Sequence, residues 1–281
     1  MLLDLIIRNG RIVDGTGQCC IRKDLGVKNG KIQVIGDLQE VKAGQEFSAD
    51  DKVVCPGFID VHAHSEISIW QDPSCIAKLS QGVTTEVTGQ CGISAFPLLP
   101  EAMENIMKYA SPVLGNSMVA WPWNNYEIYK EELSRKGIAI NQVNLVGHGN
   151  LRINAMGFES RKAEPTELLF MREMLLKQLQ QGAFGLSSGL VYAPGAFSDI
   201  EEMVALAKVC ASVGGYYTTH MRNEGSRLIE SAAEAIEVCR QSGVTTVISH
   251  LKAVGKPNHG KVLEVLTMIR LAHCFQMRYH R

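Results

Sequence analysis

Short apolar runs separated by glycine-containing turns occupy the first 52 residues of the chain. Two of these runs, residues 2–8 and 31–35, bracket the glycines at positions 10, 15, 17 and 30. Short strands joined by Gly and Asp turns predict a small β-structure. A segment of this size is too short to close a core alone. We therefore expect residues 1–52 to form the N-terminal part of an accessory β-sandwich domain that packs against later parts of the chain.

The pattern changes at residue 53, where apolar, β-branched runs begin to alternate with stretches of helical spacing. The predicted strands are residues 53–64, 83–89, 142–147, 182–191, 215–220 and 244–250. Predicted helices between and after them include residues 166–181, 199–213, 227–242 and 259–272. This alternation indicates βαβ units and a parallel sheet. Six βα units are visible, whereas a (β/α)8 barrel has eight. The pattern therefore predicts an α/β fold class, with residues 53–281 forming a partial TIM-like barrel.

Two segments depart from this pattern. Residues 93–140 form a long excursion that contains Trp121 and Trp123, followed by a helical run over 126–136. Long excursions on a parallel barrel are commonly substrate loops, and a packed insert without a functional role is the alternative. Residues 273–281 follow the last predicted helix with neither a glycine cap nor a further strand. We interpret this tail as the mark of a truncated barrel, and a natural polar terminus is the alternative.

Composition narrows the choice of partners and of cellular location. Lys plus Arg number 28 and Asp plus Glu number 29, with no long basic run, so nucleic acid is not an expected partner. No apolar stretch approaches the roughly 18 residues that would span a bilayer, so we expect no membrane association. The eight cysteines are scattered, and the first residues lack the features of a signal peptide. These features predict a cytoplasmic protein.

Histidines lie at the ends of three predicted strands. His62 and His64 close the first strand, and their two-residue spacing directs both side chains to one side of a sheet. His220 and His250 end two later strands. One strand-end histidine is more often a hydrogen-bonded structural residue than a ligand. Three such strand ends in one barrel indicate a metal site at the barrel mouth, because imidazole is the commonest zinc ligand and barrel enzymes place their chemistry there.

Cys91 follows the second predicted strand within the segment Gly89-Gln90-Cys91-Gly92. A single cysteine is usually a small buried apolar residue. Beside two strand-end histidines, however, Cys-His-His is a known catalytic zinc set that leaves the fourth position open. Cys91 is therefore a candidate ligand, whereas the other cysteines are expected to be structural.

Six segments together carry a resemblance to a known family. They are PGFIDVHAH (56–64), GVTTEVTGQCG (82–92), GHG (147–149), SSGLVYAPG (187–195), THMR (219–222) and SHLK (249–252). The first resembles the first-strand signature of the amidohydrolase superfamily, and the second resembles the second-strand segment of its N-acyl-D-amino-acid deacylase (D-aminoacylase) branch. The other four continue the match in order, and the resemblance extends over residues 1–272.

This resemblance implies a zinc-dependent hydrolase with a metal-dependent hydrolase barrel. Its small-molecule substrate would be an N-acyl-D-amino acid, cleaved at the amide bond to a carboxylate and a free D-amino acid. Cys91, His220 and His250 would hold one tight Zn2+, and His62 and His64 would line a second, weaker metal position or orient the first. Tyr192 and Lys252 fall where family members contact substrate, and rim residues without that role are the alternative for both.

The resemblance also implies what this chain lacks. In the family the general base is an aspartate at the end of the eighth strand, a strand expected beyond residue 281, so no catalytic base is assigned among the residues present. We expect impaired turnover, together with self-association through the open edges of the first and sixth strands.

Three alternatives stay open. A cyclic-amide amidohydrolase of the hydantoinase or dihydroorotase type shares the histidines but needs a metal-bridging lysine near the fourth strand, and residues 182–191 contain none. A non-catalytic zinc-binding fragment would keep the metal without hydrolysis. A truncated product without function would keep neither.

Overall fold

The computed structural model describes residues 2–115 and 121–279, and it describes side chains as far as residue 273. The chain forms two compact units, Met1–Phe58 and Ile59–Arg281. Each unit has its own sheet. None of the helices in the described part of the chain has the length and apolar character needed to cross a membrane.

The first unit is a mixed β-sheet of five strands. These strands are β1 (Leu3–Ile12), β2 (Ile21–Lys28), β3 (Lys31–Gly36), β4 (Ala43–Ser48) and β5 (Val53–Val54). Strand β1 pairs antiparallel with β2 and parallel with β4 and β5. Asn29 and Gly30 join β2 to β3 with φ of 51° and 70°, which suits the two-residue Asn-Gly hairpin turn. The predicted N-terminal β-structure is confirmed, with Leu3, Ile6 and Leu38 as its buried core.

The second unit contains a six-stranded sheet whose strands follow chain order. They are β6 (Phe58–Asp60), β7 (Val83–Thr88), β8 (Asn141–Gly147), β9 (Gly185–Gly189), β10 (Tyr216–His220) and β11 (Thr245–Ile248). Neighbouring strands from β7 to β11 pair in parallel. This sheet has the order of an incomplete (β/α)8 barrel and confirms the predicted fold class.

Helices connect these strands. They are α1 (Ser68–Gln71), α2 (Ile76–Leu79), α3 (Met103–Leu114), α4 (Tyr126–Lys136), α5 (His148–Met156), α6 (Pro165–Gln180), α7 (Ile200–Ser212), α8 (Leu228–Ser242) and α9 (Lys261–Tyr279). Helix α6 shows how the sequence sets the residue at which a helix begins. It begins with Pro165 in the first turn, and Glu164 and Glu167 form a reciprocal capping box that satisfies two backbone N–H groups.

One apolar core joins the sheet to its helices. Val146 of β8 and Leu186 of β9 belong to the same buried cluster as Leu175 of α6 and Leu206 of α7, and all four are fully buried. Burying one such side chain contributes about 1.5–3 kcal/mol relative to leaving it in water. This core fixes the positions of the strand ends, where the candidate ligands lie.

The structure differs from the sequence prediction in two places. The predicted strand 53–64 is divided, because residues 53–54 pair with β1 and only Phe58–Asp60 continues as β6. Pro56 lies in the gap, and proline lacks the N–H that a ladder needs. The helix predicted over 259–272 begins at Lys261 and continues to Tyr279. The side chains of 274–279 and all of 280–281 lie outside the described residues.

The long excursion over 93–140 contributes to the core. Trp123 is buried and donates its indole N–H to the carbonyl oxygen of Ala95 at 2.8 Å. Tyr129 of α4 is buried beside it, with ring centroids 5.0 Å apart. These two residues give the excursion a packing role, and its residues 116–120 lie outside the described part of the chain.

A candidate metal centre at the strand ends

Cys91 lies in a tight turn that requires glycine on both sides of it. Its own φ is 56°, and the flanking Gly89 and Gly92 both have φ of 76°. A Cβ atom on Gly89 would lie 2.1 Å from the carbonyl oxygen of Leu145, and one on Gly92 would lie 2.6 Å from the amide nitrogen of Gly189. Glycine at both positions lets the turn pack against the backbones of β8 and β9. The cysteine is 6% exposed.

The five ligands predicted from the sequence come together around this thiol. Cys91 Sγ lies 3.4 Å from His62 Nε2 and 3.6 Å from His250 Nε2. Two sets of three donor atoms each fit within 4.8 Å of one another, and Cys91 belongs to both. One set adds His62 and His64 to the cysteine, and the other adds His220 and His250. The geometry therefore offers two adjacent metal positions that share one sulfur.

The imidazole rings contact each other edge to face. The ring centroids of His220 and His250 are 4.2 Å apart, and those of His62 and His64 are 5.3 Å apart. His250 lies two residues beyond β11 with φ of 35°, a backbone conformation that side-chain-bearing residues seldom adopt. His64 Nδ1 is buried and makes no hydrogen bond to any described residue. A buried nitrogen without a protein partner suits a metal ligand, since a buried polar atom otherwise costs free energy.

Electrostatics favour neutral imidazoles at this site. Burial, together with the neighbouring histidines, lowers the pKa of His64 to about 4. Burial also lowers the pKa of His220 to about 4, although the nearby Glu224 opposes this shift. Burial is also the main cause that lowers the pKa of His62. Neutral imidazoles keep the lone pair that a metal requires.

Burial raises the pKa of the Cys91 thiol to about 11. A thiol ligates a metal as thiolate, so this sulfur needs a nearby cation to lose its proton at neutral pH. The pKa values of His62, His64 and His220 are lowered, so these three imidazoles supply no such charge. Neutral imidazole nitrogens around a buried sulfur form the donor chemistry that zinc prefers, and the residues present therefore fit the metal.

The two predicted substrate residues also lie beside the cluster. Tyr192 donates its hydroxyl to the carbonyl oxygen of Cys91 at 3.2 Å and lies 3.3 Å from His220 Nδ1. Lys252 lies 3.3 Å from His250 Nδ1, and its ammonium group donates to the carboxylate of Glu224. Both positions therefore border the candidate ligands.

Two acidic residues support the cluster. Asp60 accepts a hydrogen bond from the backbone N–H of His62 at 3.2 Å and pairs with Lys78. Glu224 accepts a hydrogen bond from His250 Nδ1 at 2.5 Å. Sequence reasoning missed Glu224, and its position four residues after His220 was the only signal that could have suggested it.

Comparisons with known proteins show what the chain is similar to. The sequence model of the amidohydrolase family matches residues 45–272. D-aminoacylase from Alcaligenes xylosoxydans xylosoxydans is 34% identical over 272 residues, which are 96% of this chain and 54% of that protein. N-acyl-D-glutamate deacylase from the same organism is 36% identical over 267 residues, covering 95% and 54%.

Among solved structures, the chain is similar to N-acyl-D-glutamate deacylase from Bordetella bronchiseptica, crystallised with zinc and a phosphonate mimic of the tetrahedral intermediate. The TM-score is 0.89 at 36% identity, and the match covers 97% of this chain and 56% of that one. The chain thus spans about half the length of the relatives that it matches.

Proposed function

Because this chain belongs to the amidohydrolase family, we propose that it forms the zinc-binding half of an N-acyl-D-amino-acid deacylase. The reaction would hydrolyse the amide bond of a small N-acyl-D-amino acid to a carboxylate and a free D-amino acid. The observation that carries this proposal is the convergence of Cys91 with His220 and His250 within 4.8 Å. The proposed location is the cytoplasm.

We assign the tight zinc to Cys91, His220 and His250. His62 and His64, with the same sulfur, would hold the second, weaker metal. When bound, zinc supplies Lewis-acid polarisation of the scissile carbonyl. The chain's own task is to hold neutral imidazole nitrogens and a buried sulfur at fixed positions, which the strand ends and the glycine turn support.

Tyr192 and Lys252 are proposed to orient the substrate. Burial raises the pKa of Tyr192 well above its ordinary value of 10, so its hydroxyl stays protonated. This hydroxyl would exchange its hydrogen bond to the Cys91 carbonyl oxygen for one to a substrate oxygen. The side chain of Lys252 is 49% exposed, and its cation could pair with the carboxylate of an amino-acid substrate.

We expect slow turnover by this 281-residue chain. Glu224 is the carboxylate that contacts His250, and its two oxygens accept hydrogen bonds from His250 and Lys252. Both oxygens are therefore engaged in contacts with side chains of the site. No carboxylate among the described residues is assigned as the general base, and removing such a group commonly costs about 10²–10⁴ in rate, so zinc binding with little hydrolysis is the expected behaviour.

The experiment measures zinc and hydrolysis in the same preparation. Zinc content is measured after dialysis, and amine release is measured with N-acetyl-D-methionine, with its L isomer as the matched control. About one tightly held zinc per chain with D-selective release, however slow, is the expected result. Absence of zinc from a folded chain, or equal rates for both isomers, would contradict the proposal. A hydantoinase-like activity is disfavoured, because β9 offers no lysine to bridge two metals.

A further inference from the structure

Glu224 lies in the loop between β10 and α8, and its backbone is held independently of its side chain. Its carbonyl oxygen accepts a hydrogen bond from the N–H of Val254 at 2.7 Å. Next to it, Asn223 Oδ1 accepts hydrogen bonds from the N–H groups of Gly225 and Arg227 at 2.9 and 3.0 Å. Since these bonds fix the loop, the Glu224 side chain is not needed to shape it.

The carboxylate of Glu224 points at the histidine cluster and is 9% exposed. Oε1 accepts a hydrogen bond from His250 Nδ1 at 2.5 Å, and Oε2 accepts one from Lys252. Oε2 also lies 3.6 Å from His220 Nε2, which is too long for a hydrogen bond. Glu224 therefore makes one direct and well-defined contact with a candidate ligand, at a single nitrogen of His250.

This contact determines which nitrogen of His250 carries the proton. A carboxylate only accepts, and its 2.5 Å contact with Nδ1 is much shorter than the 3.3 Å contact between Nδ1 and the Lys252 ammonium, which can only donate. Nδ1 is therefore assigned as the donor to Glu224, and in a neutral imidazole the lone pair then lies on Nε2. Nε2 is the atom that lies 3.6 Å from Cys91 Sγ. The backbone of His250 is held in an unusual conformation with φ of 35°. The hydrogen bond to Glu224 holds the imidazole ring itself.

We propose that Glu224 is a positioning residue that fixes His250 in its Nδ1-protonated tautomer and so presents Nε2 to zinc. The inference rests on the proposed zinc site and goes beyond it by naming the group that orients a ligand. Replacing partners of this kind commonly lowers metal affinity about 10–100-fold. A purely structural Glu224 would affect stability without changing the tautomer or the affinity of the folded chain.

The test compares the full-length wild-type chain with Glu224→Ala, Glu224→Gln and the control Glu230→Gln. Glu230 is an exposed carboxylate in the first turn of α8. Zinc affinity is measured by competition with a chromophoric chelator. The protonated nitrogen of His250 is identified by ¹⁵N NMR of the metal-free chain, with the signal assigned by its loss in His250→Ala. Thermal unfolding followed by circular dichroism verifies that each variant is folded.

We expect Glu224→Ala to bind zinc about 10–100-fold more weakly and to lose the exclusive Nδ1-protonated form. Glu224→Gln keeps an acceptor oxygen and should lose less, and Glu230→Gln should match the wild type. Equal zinc affinity in wild type and folded Glu224→Ala would overturn the inference, as would a wild-type His250 protonated at Nε2. A wild-type chain that binds no zinc would instead refute the proposed metal centre. The ¹⁵N NMR spectra of the metal-free chain would then still show whether Glu224 fixes the tautomer of His250.

Discussion

A buried ion pair between helices α5 and α7 offers a quantitative test of the fold beside the site. Arg152 Nη1 donates to Glu202 Oε2 at 2.5 Å, and His148 Nε2 donates to Glu202 Oε1 at 2.6 Å. Arg152 and His148 are fully buried, and Glu202 is 2% exposed. Arg152 also donates to the carbonyl oxygen of Arg161 at 2.8 Å. The carboxylate of Glu202 is thus the counter-charge of a cation with no access to solvent.

Replacing Glu202 with glutamine should leave Arg152 charged and uncompensated in the interior. Removing one partner of a buried pair costs about 3–5 kcal/mol. In a unit of this size, 1 kcal/mol shifts Tm by about 2–4 °C, so Tm should fall by about 6–20 °C. Glu201→Gln, at an exposed neighbour on the same helix, should stay within about 0.5 kcal/mol of the wild type. Urea titration of the three proteins at pH 7 measures the differences in the free energy of unfolding, and thermal unfolding measures the differences in Tm.

The same pair predicts a pH dependence with a definite sign. Burial raises the pKa of Glu202, but the hydrogen bond from His148 and the charge of Arg152 outweigh burial and hold the pKa below its ordinary value of 4.5. A lowered carboxyl pKa stabilises the folded state fully above the ordinary value, and this stabilisation is lost as the pH falls through the folded-state pKa. The difference between wild type and Glu202→Gln should therefore be constant above about pH 5 and smaller in more acidic buffer.

Two outcomes would refute this reasoning. One is a difference below about 1 kcal/mol at pH 7, which would be too small for a broken buried pair. The other is a difference that grows as the pH falls below 4.5. A double variant, Arg152→Met with Glu202→Leu, should recover only part of the lost stability, because it removes the buried charge of Arg152 but leaves the buried His148 without its acceptor.

Three further substitutions test the candidate centre. Cys91→Ala should abolish tight zinc binding whereas Cys239→Ala should retain it, and equal zinc loss in both, or loss in neither, would reject the ligand assignment. Gly89→Ala should destabilise the fold by about 2 kcal/mol more than Gly214→Ala in urea titrations. Both glycines have positive φ, but only a Cβ atom at position 89 would clash with a backbone carbonyl. Equal costs would mean that the turn is not tightly packed. Tyr192→Phe loses the hydroxyl contacts to the Cys91 carbonyl oxygen and to His220 Nδ1, so chelator competition should show a fall in zinc affinity of about tenfold, the lower end of the range for partners of metal ligands. A complete loss of zinc would make its role larger than positioning.

The predicted strands matched the sheet because buried parallel strands carry nearly continuous apolar runs. The run 244–250, for example, contains β11, which ends at Ile248. The run 53–64 did not match, since its apolar character continues across Pro56, where the backbone can no longer pair. Apolar character reports burial on both sides of that proline, and it contains no information about which of two sheets each half joins.

The candidate ligands could be found from the sequence because the carboxyl ends of parallel strands meet at one edge. A histidine that follows an apolar run is therefore placed near others of its kind without knowledge of the loops. Cys91 was harder to assign, since its position depends on a left-handed turn between two glycines. Only its order along the chain, directly after the second strand, linked it to the histidines.

The two buried glutamates could not be predicted in this way, and the reason is geometric. Glu224 reaches His250 across 26 residues, and Glu202 reaches His148 across 54. Both glutamates are ordinary residues of a loop or of a first helical turn, and no periodicity marks them. Their importance depends on how the loop and the helix pack against the sheet. Substituting Glu224 therefore tests the orientation of one metal ligand, whereas substituting Glu202 tests the packing that places helices α5 and α7 beside the strand ends.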